Sequence, residues 1–270
     1  MKPSPTRPRP RKKSAIPLPV ASARIDAVDV ARGIAITMMI AYHFCFDLTF
    51  YHWAAWAMLD DPRWIGWRSA IVTSFLFVVG VSLALRDARD HAKPGASAWF
   101  DRAFVHRWAQ IAAAAALVTA GSALLFPQSF IYFGVLHFVA VALWVCRRAP
   151  RLGGWAIVLG CAMLVIGNFV SSPIFDPRTL NWIGFATTKP ITEDYVPLFP
   201  WLGVVLVGCG AGALWAHRGF RLSPRTAAAW EGWPVALRRM LATMGRRSLT
   251  IYLAHQPLLL GAMAAIKAIV

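Results

Sequence analysis

"VDVARGIAITMMIAYHFCFDLTF", residues 28–50, decides how the chain is read. It is long enough to cross a bilayer core as a helix, which takes roughly 20 apolar residues. Yet it carries Asp29, Arg32, His43 and Asp47. With Met39 or Ile40 between them, these residues follow spacings of three or four, a single helix face. Ionisable side chains are costly in hydrocarbon, so such a face turns toward a bundle interior and marks a pathway or site. His43 and Asp47 stand one turn apart, within reach of a direct hydrogen bond.

The rest of the chain is equally oily. Of 270 residues, 58% are hydrophobic and 15% charged, with mean hydropathy +0.53. Soluble domains carry about 25% charged residues, so water-facing surface is scarce here. Thirteen Trp and sixteen Phe suit the aromatic belts of a membrane interface. Ten-residue units of alternating hydrophobicity are missing, which argues against a barrel. The expected fold is an all-α, polytopic transmembrane helical bundle forming one domain, residues 25–270, in a lipid bilayer. Seven spans are predicted, at 28–50, 64–85, 104–125, 130–146, 152–171, 198–216 and 248–269, with the short "FPQSF" turn joining the third and fourth as a hairpin.

A net charge of +16 suggests nucleic acid, but the placement of the charges excludes it. Residues 1–24 are rich in Pro and basic side chains without apolar periodicity. They are expected to be a disordered cytoplasmic tail facing anionic lipid. The basic stretch is too long, and the following apolar run too complete, for a signal peptide. With the N-terminus inside, 23 Lys/Arg fall on inner segments and five on outer ones, namely Arg63, Arg68, Arg178, Lys189 and Lys267. This bias predicts the N-terminus in and the C-terminus out. Lys267, three residues from the end, is placed to snorkel to the interface. Cys45, Cys146, Cys161 and Cys209 lie in different apolar segments and read as small buried hydrophobes, with neither metal-ligand spacing nor a disulfide framework.

Helix rise turns position into depth. His43 and Asp47 fall in the outer half of the first span, and His137 lies about 10 Å below the outer surface. The long 172–197 loop brings Glu193, Asp194 and Tyr195 to the mouth of the sixth span. His43, Asp47, His137 and Asp194 are therefore expected to converge, with His52 at the interface. A second group gathers at the inner end: Arg32, His106, Arg107, Gln110, Arg246, Arg247 and Ser248, with His255 two turns into the last span. Clustered guanidinium groups suit a polyanionic ligand. The ordinary topology signal accounts for loop arginines equally well. A lone intramembrane histidine is often just an interhelical partner worth under about 1 kcal/mol. A carboxylate one turn away and a second histidine at similar depth favour chemistry for His43.

Five segments occur in an order that resembles the bacterial branch of the heparan-alpha-glucosaminide N-acetyltransferase catalytic-domain family. They are "RIDAVDVARGIAITMMIAYHFCFDL", "FLFVVGVSLAL", "YFGVLHFVAVAL", "DYVPLFPWLGVVLVGCGAG" and "GRRSLTIYLAHQPLLL", spanning residues 24 to about 262. The resemblance implies a multi-span acetyltransferase of a bacterial inner membrane that takes acetyl-CoA as co-substrate and acetylates a sugar or similar glycan acceptor. Its matching positions are Asp29, Arg32, His43, Asp47, His137, Asp194, Trp201 and His255, with an essential histidine after Arg32-Gly33. In the lysosomal branch that histidine falls nearer His52, so both stand as candidates with His43 ahead.

On this reading His43 and Asp47 are catalytic, the aspartate orienting the ring. His106, Arg107, Arg246 and Arg247 join Arg32 and His255 as cofactor-binding residues. His52, His137, Asp194, Tyr195 and Trp201 face the acceptor, and no metal is expected. Two other classes stay open. Haem ligated by His43 and His137 would make an electron carrier, and a small-molecule transporter would need paired repeats that are not evident.

Overall fold

A computed structural model of the protein describes residues 26–91 and 101–269. The tail expected at 1–24 lies outside the described residues. Among the described residues there are nine α-helices and no strand: α1 (Asp26–Phe50), α2 (Pro62–His91), α3 (Arg102–Leu125), α4 (Val135–Val145), α5 (Gly154–Phe169), α6 (Leu198–His217), α7 (Pro224–Glu231), α8 (Val235–Arg246) and α9 (Ser248–Lys267).

Five of them, α1, α2, α3, α6 and α9, are long and apolar enough to cross a membrane, which makes this a multi-pass membrane protein. The seven predicted spans are thus too many at full length. α4 has 11 residues and α5 has 16. Their rise gives about 16 and 24 Å, against a hydrocarbon core of about 30 Å. The physical reason is local. α4 starts at Val135 rather than near 130 because the Asp194 carboxylate, from the loop before α6, accepts the Val135 N–H at 2.8 Å and caps the helix there. Gly134 leaves room for it, since a Cβ at that position would meet the same carboxylate and force it to shift. α5 is delayed by Pro150 in the Ala149–Leu152 turn and by Gly153 at φ +55°.

α6 packs between α2 and α5 through small residues. Gly80 of α2 meets the α6 backbone near Gly208, and Gly160 of α5 meets Gly203. Around this seam lies the main core, with Leu76, Phe138, Val196, Val205 and Cys209 nearly or wholly inaccessible. The expected α3–α4 hairpin is present: the Ser122 hydroxyl accepts the Ile131 N–H, and Thr119 donates to the Ile131 carbonyl. Segment 218–247, read as plain basic loop, instead folds into α7 and α8. α8 buries Leu241, Ala242 and Gly245 against α1, backbone on backbone at Gly33. All four cysteines are free, but Cys161 is exposed rather than buried. The bundle has a basic end, where α1, α3 and α9 start, and a loop end, where the 170–197 segment folds over α4 and α6.

Candidate active site

α1 places His43 on the face predicted for it. The ring turns back along its helix, and Nδ1 lies 2.9 Å from the Met39 carbonyl. A carbonyl can only accept, so Nδ1 carries the hydrogen and Nε2 keeps its lone pair. The expected bond to Asp47 does not form. Helical side chains lean toward the N-terminus, which carries the imidazole away from a residue one turn later. Asp47, almost fully buried, instead accepts from the Gln256 amide of α9 at 2.7 Å.

The partner of His43 is His255. Their rings meet edge to face with centroids 4.8 Å apart. His255 repeats the same wiring: Nδ1 lies 2.7 Å from the Tyr252 carbonyl, and Nε2 is buried with no partner among the described residues. Pro257 lies in the same stretch of α9. Two imidazoles on different helices thus share one tautomer, each with a bare Nε2. Among the described residues the other oxygen of Asp47 and the Gln256 carbonyl oxygen are also buried without partners.

Tyr252 extends the band toward the loop end. Its ring lies 5.7 Å from His255, and its hydroxyl reaches the Asp194 carboxylate at 3.4 Å. Asp194 is ringed by protein yet keeps some accessible surface. Burial pushes its carboxyl up from the usual range, opposed by the hydrogen bonds from Val135 and Tyr252. His137 is wired in full. The Gly134 N–H donates to Nδ1 at 3.3 Å, Nε2 donates to the Thr119 hydroxyl at 3.0 Å, and that hydroxyl donates to Ile131. α9, whose Tyr252 and Gln256 the sequence reading missed, supplies the contacts that reach these groups: His255 meets His43, Gln256 meets Asp47 and Tyr252 meets Asp194.

That wiring also disposes of the haem reading. Both nitrogens of His137 are committed, and at 4.8 Å no porphyrin fits between His43 and His255. Among the described residues no group of three or more His, Cys, Asp or Glu is placed to hold a metal. His52 sits exposed in the turn after α1 at φ +60°. Tyr195 donates to the Asn181 carbonyl at 2.7 Å, and burial raises its hydroxyl to about 12. Trp201 packs on the main core.

The inner group is spread over three places. Arg32 pairs with Asp29 at 2.9 Å and donates to Ser82 of α2 and the Gly245 carbonyl of α8, tying three helices together. His106 and Arg107 meet Gln110 on the exposed face of α3. Arg246 donates to Thr243, and Arg247 caps the α8–α9 junction.

Residues 24–257 match the family model described as heparan-alpha-glucosaminide N-acetyltransferase, catalytic. The chain belongs to this family. It is a membrane acetyltransferase, and the matched range contains every one of the groups placed above. Among curated proteins and among solved structures, no match was found. Family membership supplies the reaction class.

Proposed function

We propose that the protein moves an acetyl group from cytoplasmic acetyl-CoA to a sugar or similar acceptor at the outer face of the membrane, with the basic end inside. The observation that carries this is the contact between His43 and His255, two imidazoles whose hydrogens are pinned at Nδ1 by backbone carbonyls. A base with a fixed lone pair is ready to take a proton without first changing tautomer. The thioester carbon is brought beside His43 from the basic end. The acceptor's O–H or N–H enters from the loop end, along the wall made by Asp194 and Tyr252.

As the acceptor heteroatom bonds to the acetyl carbon, its proton passes to His43 Nε2. The carbon–sulfur bond breaks, and the departing thiolate takes the proton back from the His43 imidazolium, which restores the neutral base. His255, edge-on to His43, is a positioning residue. Asp47 acts through Gln256 on the packing of α1 against α9 rather than directly on the ring. Arg246 and Arg247 lie at the end where the cofactor's phosphates arrive, and Arg32 fixes the helices that frame that entry.

The test is incubation of detergent-purified protein with labelled acetyl-CoA and envelope sugars, following label into product. His43→Ala should lower transfer by about 10²–10⁴-fold, the usual contribution of a general base, with thermal unfolding unchanged. Wild-type turnover in that variant, with loss in His52→Ala, would move the chemistry to the turn after α1. Turnover by neither protein nor wild type would end the reading.

A further inference from the structure

At the basic end α1, α6, α7 and α8 enclose a cleft of about 400 Å³. That volume lies within the roughly 300–1,000 Å³ of small-molecule sites. Three rings face it, from Trp215, Phe220 and Trp230, together with three guanidinium groups, from Arg238, Arg239 and Arg246. Asp26 is the single acid in the lining.

The cations lack anions. Among the described residues none of the three arginines has a carboxylate within ion-pair distance. Arg238 lies over the Trp230 ring at 5.4 Å and keeps a buried Nε without a hydrogen-bond partner. Arg246 has only the Thr243 hydroxyl, at 2.8 Å. The rings are held with some effort: Phe220 adopts φ +58°, which is rare for a bulky side chain, and in that conformation its ring meets Trp215 at 5.4 Å. Strained residues of this kind gather at ligand sites.

A ligand matching these walls carries a flat ring for the aromatic faces and several negative charges for the forked guanidinium donors. It is a nucleotide bearing more than one phosphate. We propose that this cleft binds the adenosine 3′,5′-bisphosphate end of the thioester donor, an assignment that rests on the acetyl-transfer reading above. The carboxylate of Asp26 suits the purine amine or the free ribose hydroxyl, both donors. Val30 lines the cleft and His43 stands 13 residues further along α1, about 20 Å by helix rise. That is the scale of an extended phosphopantetheine arm. Thirteen residues also turn the helix by about 220°, so the arm passes from the Val30 face, which carries Thr37 with the Met244 thioether 3.9 Å from its hydroxyl, part-way round α1 to His43.

The experiment compares acetyl-CoA with S-acetylpantetheine, which has no nucleotide, in the wild type, in Arg238→Ala/Arg239→Ala and in Trp230→Leu. The wild type should prefer acetyl-CoA, and the preference in kcat/KM should fall at least tenfold in both variants, mainly through KM. Adenosine 3′,5′-bisphosphate should compete with acetyl-CoA in the wild type and do so at least tenfold more weakly in the variants. An undiminished preference in both variants overturns the assignment while leaving acetyl transfer intact. If the wild type transfers from neither donor, the acetyl-transfer reading fails, and calorimetry with adenosine 3′,5′-bisphosphate in neutral detergent decides the cleft alone. Binding that is lost in the double variant supports it. Absence of binding, or displacement of the nucleotide by phosphatidylglycerol as readily as by acetyl-CoA, overturns it.

Discussion

Replacing Gly33 by alanine probes the contact that sets α1 on α8. A Cβ there would fall on the Leu241 carbonyl oxygen, with the Leu241 Cα only 3.0 Å away. Both are helix backbone and cannot rotate aside, so the two helices must part by about 1 Å to admit the methyl. Parting loosens Val30, Leu241 and Ala242 and stretches the Arg32 bond to the Gly245 carbonyl, already 3.4 Å long. Overpacking of this kind costs about 1–3 kcal/mol. Weakening a charged hydrogen bond adds about 1 kcal/mol. Alanine's better helix propensity returns about 1 kcal/mol. The net is about 1–3 kcal/mol of destabilisation, or roughly 3–10 °C in apparent Tm for a chain of this size. Gly121→Ala and Gly261→Ala are internal controls, since nothing lies within 4 Å of either position. They should be neutral or stabilising by up to about 1 kcal/mol. The assay is unfolding in detergent by tryptophan fluorescence at one scan rate for all variants. Gly33→Ala melting with or above Gly121→Ala would refute the reasoning.

Other outcomes follow from the polar band. Gln256→Leu strips Asp47 of its hydrogen-bond donor and should cost about 1–3 kcal/mol, with Asp47→Leu/Gln256→Leu less destabilised than the single variant in the same melts. Thr119→Val breaks the relay between His137 and Ile131 and should lower Tm, whereas Thr119→Ser should restore it. In the 170–197 loop, Thr187 donates its hydroxyl and backbone N–H to Asp176, holding that carboxyl below its usual range. A depressed folded value means stabilisation present above the unfolded value of about 3.9 and lost as pH falls through the folded one. Proteolytic nicking between 176 and 187 should therefore rise as pH drops below about 4, and Asp176→Asn should be nicked equally at both pH values.

The long helices were legible because apolar length alone announces them: α1, α2, α3, α6 and α9 fall within a few residues of prediction. α4 was read too long because its start is fixed by Asp194, 59 residues further on, and no local pattern carries that information. α8 was readable. Leu241, Ala242 and Gly245 repeat at helical spacing, with Arg239 and Arg246 flanking that stripe, but the basic charge of the segment answers equally to the topology rule. In the site, spacing correctly put His43 and Asp47 on one face and wrongly joined them. Spacing says which Cβ atoms are neighbours, while the lean of the side chains decides which tips meet. Tyr252 and Gln256 were invisible because their partners, Asp194 and Asp47, lie 58 and 209 residues away along the chain.

The shortness of α4 has a consequence for how this part of the bundle is shielded. An 11-residue rod covers little more than half the oil layer, so beyond Gly134 the barrier consists of folded loop, whose backbone polar groups must be screened by protein or met by water. The sheath that shields this part of the bundle is thus folded chain rather than helix, and its polar backbone sets how closely water can approach.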